Sequence, residues 1–367
     1  MSQPEQTDLQ VTPLNSRHRA LGALMAPFGG WDMPIQYEGI LAEHRWCREQ
    51  AALFDICHMG EFLFTGDIVS SGLENLITVS IATIPIGRSR YGFLLNQDGG
   101  VIDDLIAFRL AEDQVLLVVN AATAPNDFAV ISSRLTGGTL VNRSSELAKL
   151  DLQGPLSRDV LKELLGDWIG ELKYFQFVER TIDGQAALVS RTGYTGELGY
   201  ELFVPVALVE SLWDRLLSDP RVKPAGLGAR DVLRLEVGYS LYGNDLDEST
   251  TPLEAGLPMF VDMNGSFVGR EALEAQMNQG LPRRKVAFKV TSRRTPRHGF
   301  TIVDGDRQIG EVTSGVFSPM LGCGIGIGLV EPGYETLGST LTIVHDRTRM
   351  EAVVCTAPFY TDGSVRS

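Results

Sequence analysis

A chain of 367 residues is longer than a single hydrophobic core usually supports, and it predicts two or three domains. Hydrophobic residues make up 44% of the chain and charged residues 21%, which excludes a disordered or fibrous protein. The net charge of −14 at pH 7 argues against nucleic acid or an anionic membrane surface as the main partner.

The opening residues 1–8 are polar and contain neither a basic region nor an apolar stretch. A secretory signal or an organelle leader needs such features, and no apolar run elsewhere approaches membrane-spanning length. We therefore expect a cytoplasmic protein in a bacterial setting.

The cysteines and the five histidines are scattered along the chain, without the short spacings of a zinc or redox site. This distribution predicts free thiols in a reducing compartment and no metal centre. The cysteines are Cys47, Cys57, Cys323 and Cys355.

Helix-forming residues with interspersed apolar side chains predict a helix over residues 38–50. An antiparallel meander follows further on. Two apolar runs, 91–96 and 101–108, flank the turn sequence of residues 97–100, which is a strong hairpin signal, and a third predicted strand covers 115–120.

Helical patterns return at 157–165 and 207–217, with a hairpin-like stretch at 186–202 between them. Apolar side chains at intervals of three and four predict another helix over 230–242. From about residue 285 onward, short apolar runs broken by glycine and proline predict a small β-barrel. Mixed helices and antiparallel strands indicate an α+β fold.

Two adjacent acids, Asp103 and Asp104, lie on the second strand of the meander. Because side chains alternate between the faces of a strand, Asp104 is expected to share its face with Ile102, Ile106 and Phe108. Apolar surroundings raise the pKa of a carboxyl group and suit it to acid–base chemistry. The alternative is that both acids follow the turn and stay solvated, and these residues by themselves leave both interpretations open.

The hairpin register decides which aromatic residue lies near this acid. If the turn pairs Asn96 with Val101, Tyr91 lies opposite Ile106 and on the face of Asp104. The predicted site is then a concave surface around Asp104 with the ring of Tyr91 on one side.

Asn120 ends the third strand near the same acid. A two-residue turn at 112–113 sets Asp104 opposite Ala121, and a shift by one residue sets it opposite Asn120. A side-chain amide both donates and accepts, which suits the edge of a heterocycle. The alternative role for an asparagine at a strand end is to cap a turn.

The glycine-rich segment 191–201 has neither the phosphate-loop pattern nor the glycine spacing of a dinucleotide fingerprint. Its Tyr194 is a candidate for stacking on a flat ring, and Glu201 for accepting two N–H groups. A plain hairpin turn is the alternative.

Arg230 lies within residues 226–231, where a helix is predicted to begin. It is a candidate for binding a carboxylate. The alternative is a surface ion pair with Asp231 or Glu236.

A late cluster of basic residues interrupts the acidic composition. It has two interpretations, a solvated face or a weakly supported docking site. Its members are Arg283, Arg284, Lys285, Arg293, Arg294, Arg297 and His298.

The chain contains a series of short blocks in a fixed order, at residues 28–34, 54–61, 99–104, 118–122, 190–197, 225–231, 313–315 and 357–360. Taken together, these blocks resemble the glycine cleavage T-protein family of aminomethyltransferases over nearly the whole chain.

The resemblance implies a three-domain cloverleaf with antiparallel sheets and a C-terminal β-barrel around a central folate channel. The first domain would combine residues 1–50 and 145–245 and bind folate. The second, 51–144, would contain the meander, and 246–284 would connect to a terminal barrel at 285–367.

The activity implied belongs to glycine catabolism and one-carbon metabolism. It is transfer of the methylene carbon from aminomethyl-dihydrolipoyl H-protein to tetrahydrofolate with release of ammonia, in a cycle shared with the P- and L-proteins. The family's essential aspartate matches Asp104. Its folate-contacting positions match Met59, Tyr91, Asn120, Tyr174, Tyr194, Glu201, Arg230 and Arg366.

The sequence departs from the family pattern at Cys57, where a serine is usual. Because His58 is adjacent, a nucleophilic thiol is one interpretation, but neighbours in a strand point to opposite faces. We expect the substitution to leave activity unaffected.

Two related classes compete with the transferase. Folate-binding proteins of iron–sulfur maturation carry the motif Lys-Gly-Cys-Tyr-x-Gly-Gln, and the corresponding residues 267–273 contain no cysteine. A folate-dependent demethylase is harder to separate by motif. An amine oxidase would require the dinucleotide fingerprint that this chain lacks.

Overall fold

The computed structural model describes residues 9–292 and 294–367. Residues 1–8, on which the expectation of no leader rests, lie outside the described residues. So does Arg293, one member of the basic cluster. In the described part of the chain, no helix is both long enough and apolar enough to cross a membrane.

The described residues form seven α-helices and four short 3₁₀ helices. The α-helices are α1 (Asn15–Ala20), α2 (Ile40–Glu49), α3 (Ala124–Arg134), α4 (Ser157–Leu165), α5 (Val206–Leu217), α6 (Leu227–Glu236) and α7 (Arg270–Gln279). The 3₁₀ helices are Leu73–Asn75, Asp167–Glu171, Pro258–Phe260 and Ser364–Arg366.

The strands divide among four sheets. In chain order they are β1 (Gln10–Val11), β2 (Leu24–Phe28), β3 (Trp31–Gln36), β4 (Ala51–Asp55), β5 (Gly60–Thr65), β6 (Ser89–Leu95), β7 (Val101–Ala111), β8 (Gln114–Val119), β9 (Thr139–Asn142), β10 (Leu147–Gln153), β11 (Phe177–Ile182), β12 (Gln185–Ser190), β13 (Gly199–Pro205), β14 (Val222–Pro224), β15 (Arg284–Val290), β16 (Thr301–Asp304), β17 (Arg307–Ser318), β18 (Cys323–Val330), β19 (Thr340–His345) and β20 (Thr348–Cys355).

The largest open sheet has six strands in the order β11-β12-β13-β10-β4-β14. Its core includes Leu150, Leu202 and Trp213, all fully buried, the last of them on α5. Strands β4, β10 and β13 are buried over nearly their whole length, whereas the outer strand β11 is exposed at residues 179–181. The sheet includes β4, which lies beyond residue 50, the expected boundary of the first domain.

The predicted meander is confirmed within a five-stranded sheet, β6-β7-β8-β5-β9. Tyr91 pairs with Ile106, as predicted from the hairpin turn. A bulge at the turn end pairs Leu95 with Val101, so the predicted pairing of Asn96 with Val101 is wrong. An extra residue in one strand shifts the register locally and leaves the rest of the ladder unchanged.

The expected C-terminal barrel is confirmed. Six strands close in the order β15-β18-β17-β16-β19-β20, and closure leaves no unpaired edge. Its interior includes the fully buried Phe288. Gly326 makes room for this ring, since a Cβ atom there would lie 2.5 Å from Phe288 Cζ. The α+β fold with a terminal barrel is therefore confirmed.

The last predicted helix is shorter than the pattern suggested. It ends at Glu236 instead of Tyr242, because Gly238 adopts a left-handed conformation (φ 76°) that terminates the helix. The chain then turns, and Tyr239 stacks on Tyr194 with ring centroids 5.8 Å apart.

A buried polar network joins α2, α6 and the barrel. The carboxylate of Glu236 accepts hydrogen bonds from Arg48 (2.7 Å) and Ser318 (2.6 Å) and lies 2.7 Å from His44 Nε2. Ser318 is the last residue of β17, so one carboxylate connects three elements far apart in sequence.

Candidate functional site

The two adjacent acids of β7 share one asparagine. Asn120 Nδ2 donates to Asp104 Oδ1 (2.9 Å) and to Asp103 Oδ1 (2.8 Å), and its backbone N–H donates to Asp103 Oδ2 (2.9 Å). Tyr91 donates its hydroxyl to Asp104 Oδ2 (2.9 Å). Both oxygens of Asp104 are therefore held, one by Tyr91 of β6 and one by Asn120, which directly follows β8.

A second bulge decides the partner of Asp104. The turn pairs Ala111 with Gln114, but the register then shifts by one residue and pairs Ile106 with Val118. Continued to the strand end, this register sets Asp104 opposite Asn120, one of the two alternatives left open by the sequence.

The predicted face of Asp104 is only partly correct. Ile106 and Phe108 pack together on one side of β7, but Ile102 packs with Leu105 on the opposite side. The bulge at the start of β7 interrupts the alternation of side chains and moves Ile102 into the other cluster.

Asp103 and Asp104 differ in the causes of their pKa shifts and in their exposure. Burial and the charge of Asp103 raise the pKa of Asp104 to about 7, against the lowering effect of the hydrogen bonds from Tyr91 and Asn120. Burial and the charge of Asp127 raise the pKa of Asp103 well above its usual range. Asp103 is fully buried, whereas Asp104 keeps exposed surface, so Asp104 is the acid that a ligand can reach.

The third acid of this group gives a stability prediction. Burial raises the pKa of Asp127 from 3.8 to about 7, so the folded chain holds a proton that the unfolded chain releases. Stability is therefore lost as the pH rises from about 4 through 7. At pH 8, Asp127→Asn should raise the free energy of unfolding by on the order of 2–4 kcal/mol, and at pH 5 by much less.

Urea denaturation of the unsubstituted chain and of Asp127→Asn, at pH 5 and pH 8, measures this difference in the free energy of unfolding. The turn variant Asp113→Asn, at an exposed aspartate, is the matched control. An equal gain for Asp127→Asn at the two pH values contradicts the assigned cause.

Aromatic rings lie close to Asp104. Tyr91 packs against Phe260, with ring centroids 4.8 Å apart. Burial raises the pKa of Tyr194, and the charge of Asp104 adds to the rise. Tyr194 is half-buried, donates its hydroxyl to the carbonyl of Ser240 and stacks on Tyr239.

Arg230 does not make the surface ion pair that was its alternative. Its Nη1 lies 2.5 Å from Oδ2 of the fully buried Asp151, and its guanidinium lies 5.0 Å from the ring centre of Tyr194. Asp231 instead pairs with Arg234. Arg230 is thus fixed at the base of the site, with 13% of its side chain exposed.

Glu201, on β13, is 4% exposed. Thr192 donates its hydroxyl to Glu201 Oε2 (2.7 Å), and Lys149 Nζ lies 3.5 Å from the same oxygen. Lys149 also lies 3.7 Å from Met59 Sδ, so the predicted residues Met59 and Glu201 meet at one lysine.

The last two predicted residues lie further out. The hydroxyl oxygen of Tyr174 lies 3.4 Å from that of Tyr239. Arg366 is exposed, and its charge lowers the pKa of Tyr174 against the burial that raises it. Contacts connect Tyr174 through Tyr239 to Tyr194, and Tyr194 to Arg230. Among the described residues, no hydrogen bond, ion pair or ring contact joins this set to Asp104 or to Arg366.

Three residues that contact predicted site residues were missed from the sequence. Asp151 and Lys149 lie two positions apart in the apolar strand β10, where two charges on one face are a signal that could have been recognised. Tyr239 was assigned to a helix, and only the break at Gly238 brings it to Tyr194.

Cys57 has the surroundings of a structural thiol. It is buried, its Sγ donates to the carbonyl of Lys149, and burial raises its pKa well above the usual range. Burial also lowers the pKa of His58 to about 4. The geometry gives no support to a nucleophilic thiol. All four cysteines are free, and no group of three or more metal-binding side chains occurs within residues 9–292 and 294–367.

Comparison with known proteins identifies the family. Residues 14–265 match the family described as the GCVT N-terminal domain, and residues 283–361 match the glycine cleavage T-protein C-terminal barrel domain. The chain is 43% identical to a protein named aminomethyltransferase from Halothermothrix orenii, over 96% of this chain and 100% of that one. It is 41% identical to another of that name from Thermotoga petrophila, over 98% and 99%.

A solved structure agrees with these relatives. The crystal structure of glycine cleavage system aminomethyltransferase T from Bartonella henselae has a TM-score of 0.92 and 35% identity, over 97% of this chain and 99% of that one. Similarity in sequence and in fold over nearly the full length shows that the chain belongs to the glycine cleavage T-protein family.

Proposed function

We propose that this chain is an aminomethyltransferase. It transfers the methylene carbon from aminomethyl-dihydrolipoyl H-protein to tetrahydrofolate and releases ammonia. The observation that carries the proposal is the carboxyl of Asp104, which keeps exposed surface and is held on both oxygens by Tyr91 and Asn120. Family membership and the names of the relatives support the same reaction.

The residues fit a reduced folate. A pterin is a flat heterocycle with N–H groups along one edge, which require carboxylate acceptors. Asp104 and Glu201 are the acceptors, and Tyr194 offers an aromatic face. Met59, Tyr91, Asn120, Tyr174 and Arg230 complete the proposed folate site, with Arg366 at its edge.

Asp104 has two roles in this proposal. Its fixed carboxyl orients the acceptor nitrogens of tetrahydrofolate, and its raised pKa lets it take up a proton near neutral pH. Tetrahydrofolate supplies the nitrogens that accept the carbon. Orientation contributes most, because bringing two reactive groups together in the correct geometry removes a large entropic cost.

The deciding experiment mixes the purified chain with aminomethylated H-protein and tetrahydrofolate and measures ammonia. We expect ammonia release that depends on folate. Binding of folate without release would favour a folate-binding protein of iron–sulfur maturation, and formaldehyde production from a methylated amine would favour a demethylase. Either result overturns the transferase proposal.

The reaction should depend on pH. Because Asp104 accepts the proton as a carboxylate, kcat/KM should fall about tenfold per pH unit below about 7. Tyr91→Phe removes a hydrogen bond that lowers the pKa of Asp104, so the midpoint should move to higher pH. Rates measured from pH 5.5 to 8.5 check both; a flat profile for the unsubstituted chain contradicts the role of Asp104.

The partners and domain division remain proposals. We propose that the chain works with the lipoylated H-protein and shares its cycle with the P- and L-proteins. We keep the division into a discontinuous folate domain, a meander domain, a connecting segment and a barrel, and assign β4 to the first of these. A cytoplasmic location stays a prediction.

The basic cluster is a poor candidate for docking H-protein. Arg283 pairs with Glu254 (2.8 Å), Arg284 with Glu335 (3.2 Å), and Lys285 is half-buried. Reversing the exposed charge of Arg297 and measuring H-protein affinity tests the remaining part of this surface.

A further inference from the structure

A buried lysine that the sequence did not indicate lies behind the proposed folate site. Lys149 is 1% exposed, and its ammonium lies 4.8 Å from the ring centre of Phe203. A buried ammonium is costly unless an opposite charge accompanies it. Within the described ranges, Glu201 is the only carboxylate within ion-pair distance of Lys149, at 3.5 Å.

The two oxygens of Glu201 have different surroundings. Oε2 accepts the hydroxyl of Thr192 and faces Lys149. In the described part of the chain, Oε1 has no hydrogen-bond partner. One oxygen is therefore anchored, and the other is free to accept a hydrogen bond from a bound molecule.

The other charged groups near Glu201 do not replace this lysine. Asp151 and Glu61 are both acids. Burial and the charge of Glu201 raise the pKa of each, against the lowering effect of Arg230 on Asp151 and of Lys149 on Glu61. Arg230 is bound to Asp151. Both carboxyl oxygens of Glu61 lack a hydrogen-bond partner among the described residues, so Glu61 does not anchor Lys149 by a direct bond.

We propose that Lys149 is a positioning residue for folate binding. Its ammonium and the Thr192 hydroxyl hold Oε2 of Glu201, so that Oε1 points to the pterin as a charged acceptor. This inference rests on the proposed function, because it assumes that Glu201 binds the pterin. Lys149 itself touches neither the folate nor the transferred carbon.

The test compares Lys149→Met with the unsubstituted chain. Methionine keeps the length of the side chain and removes its charge. Without the ammonium, Glu201 is no longer held in place by an ion pair, and its hydrogen bond to the pterin is lost or weakened. We therefore expect KM and Kd for tetrahydrofolate to rise by about tenfold or more, while kcat at saturating folate changes less than about threefold. Kd is measured from quenching of protein fluorescence by tetrahydrofolate.

Three further variants separate positioning from folding. Lys149→Arg keeps the charge and should restore part of the affinity, and Thr192→Val removes the second anchor and should weaken binding in the same direction. Lys162→Met removes a lysine from an exposed ion pair with Asp167 and should bind folate normally. Thermal melting of each protein measures structural damage.

The outcomes distinguish this inference from the proposed function. If the unsubstituted chain binds folate without releasing ammonia, the proposed function fails while a weaker Kd in Lys149→Met still supports the role of Lys149. If Lys149→Met binds folate as tightly as the unsubstituted chain, or loses kcat without a change in KM, the inference is overturned. A chain that binds no folate overturns both.

Discussion

Replacing Asp104 by asparagine should lower folate-dependent ammonia release by about 10²–10³-fold. The amide keeps the size of the side chain, but it does not take up a proton, and only one of its two terminal atoms accepts hydrogen bonds. Since Asp104 is only half-buried, its replacement should leave the fold intact. Initial rates with aminomethylated H-protein, together with melting curves, measure both effects.

Asp103→Asn is the matched comparison. Asp103 is fully buried and accepts from the backbone and the side chain of Asn120, so its replacement should affect stability more and turnover less. Equal losses of turnover in the two variants would show that the assignment of Asp104 as the ligand-facing acid is wrong.

Glu236→Ala should destabilise the chain by about 3–5 kcal/mol. The substitution removes the acceptor for Arg48, His44 and Ser318 and leaves a buried guanidinium with one remaining carboxylate, that of Glu197. An uncompensated buried charge is among the largest causes of lost stability. Urea denaturation, with the midpoint and slope both recorded, measures the change.

Glu146→Ala is the control for this prediction. Glu146 is 55% exposed and pairs with Arg143 at 2.7 Å, a surface contact expected to contribute less than about 1 kcal/mol. If the two substitutions cost the same, the network around Glu236 does not connect the barrel to the rest of the fold in the way described.

Local patterns predicted elements well where one face of the element is buried. Helix α4 occupies the predicted residues 157–165, and the meander strands appear where alternation and the turn sequence placed them. Predictions from hydrophobic periodicity were wrong where a single residue interrupted the helix or the strand. Gly238 ended α6 early, and the bulge at the start of β7 moved Ile102 to the other face.

The candidate site was predicted mainly through the family resemblance. The residues alone left Asp103 and Asp104 equivalent and left two registers open for Asn120. Burial distinguishes the acids, because one is enclosed on all sides and the other keeps exposed surface. The bulge between Arg109 and Ala111 decided the register.

The position of Tyr91 on the face of Asp104 was predicted from the sequence itself, because side chains alternate along paired strands and the bulge at the turn left the rest of the ladder unchanged. The contacts of Glu201 with Lys149 and of Arg230 with Asp151 were decided only by the tertiary structure. These partners lie 52 and 79 positions apart in the chain, on strands and a helix whose neighbours no local pattern specifies. Pairing of distant strands depends on how whole faces pack, and that information is not contained in any short segment.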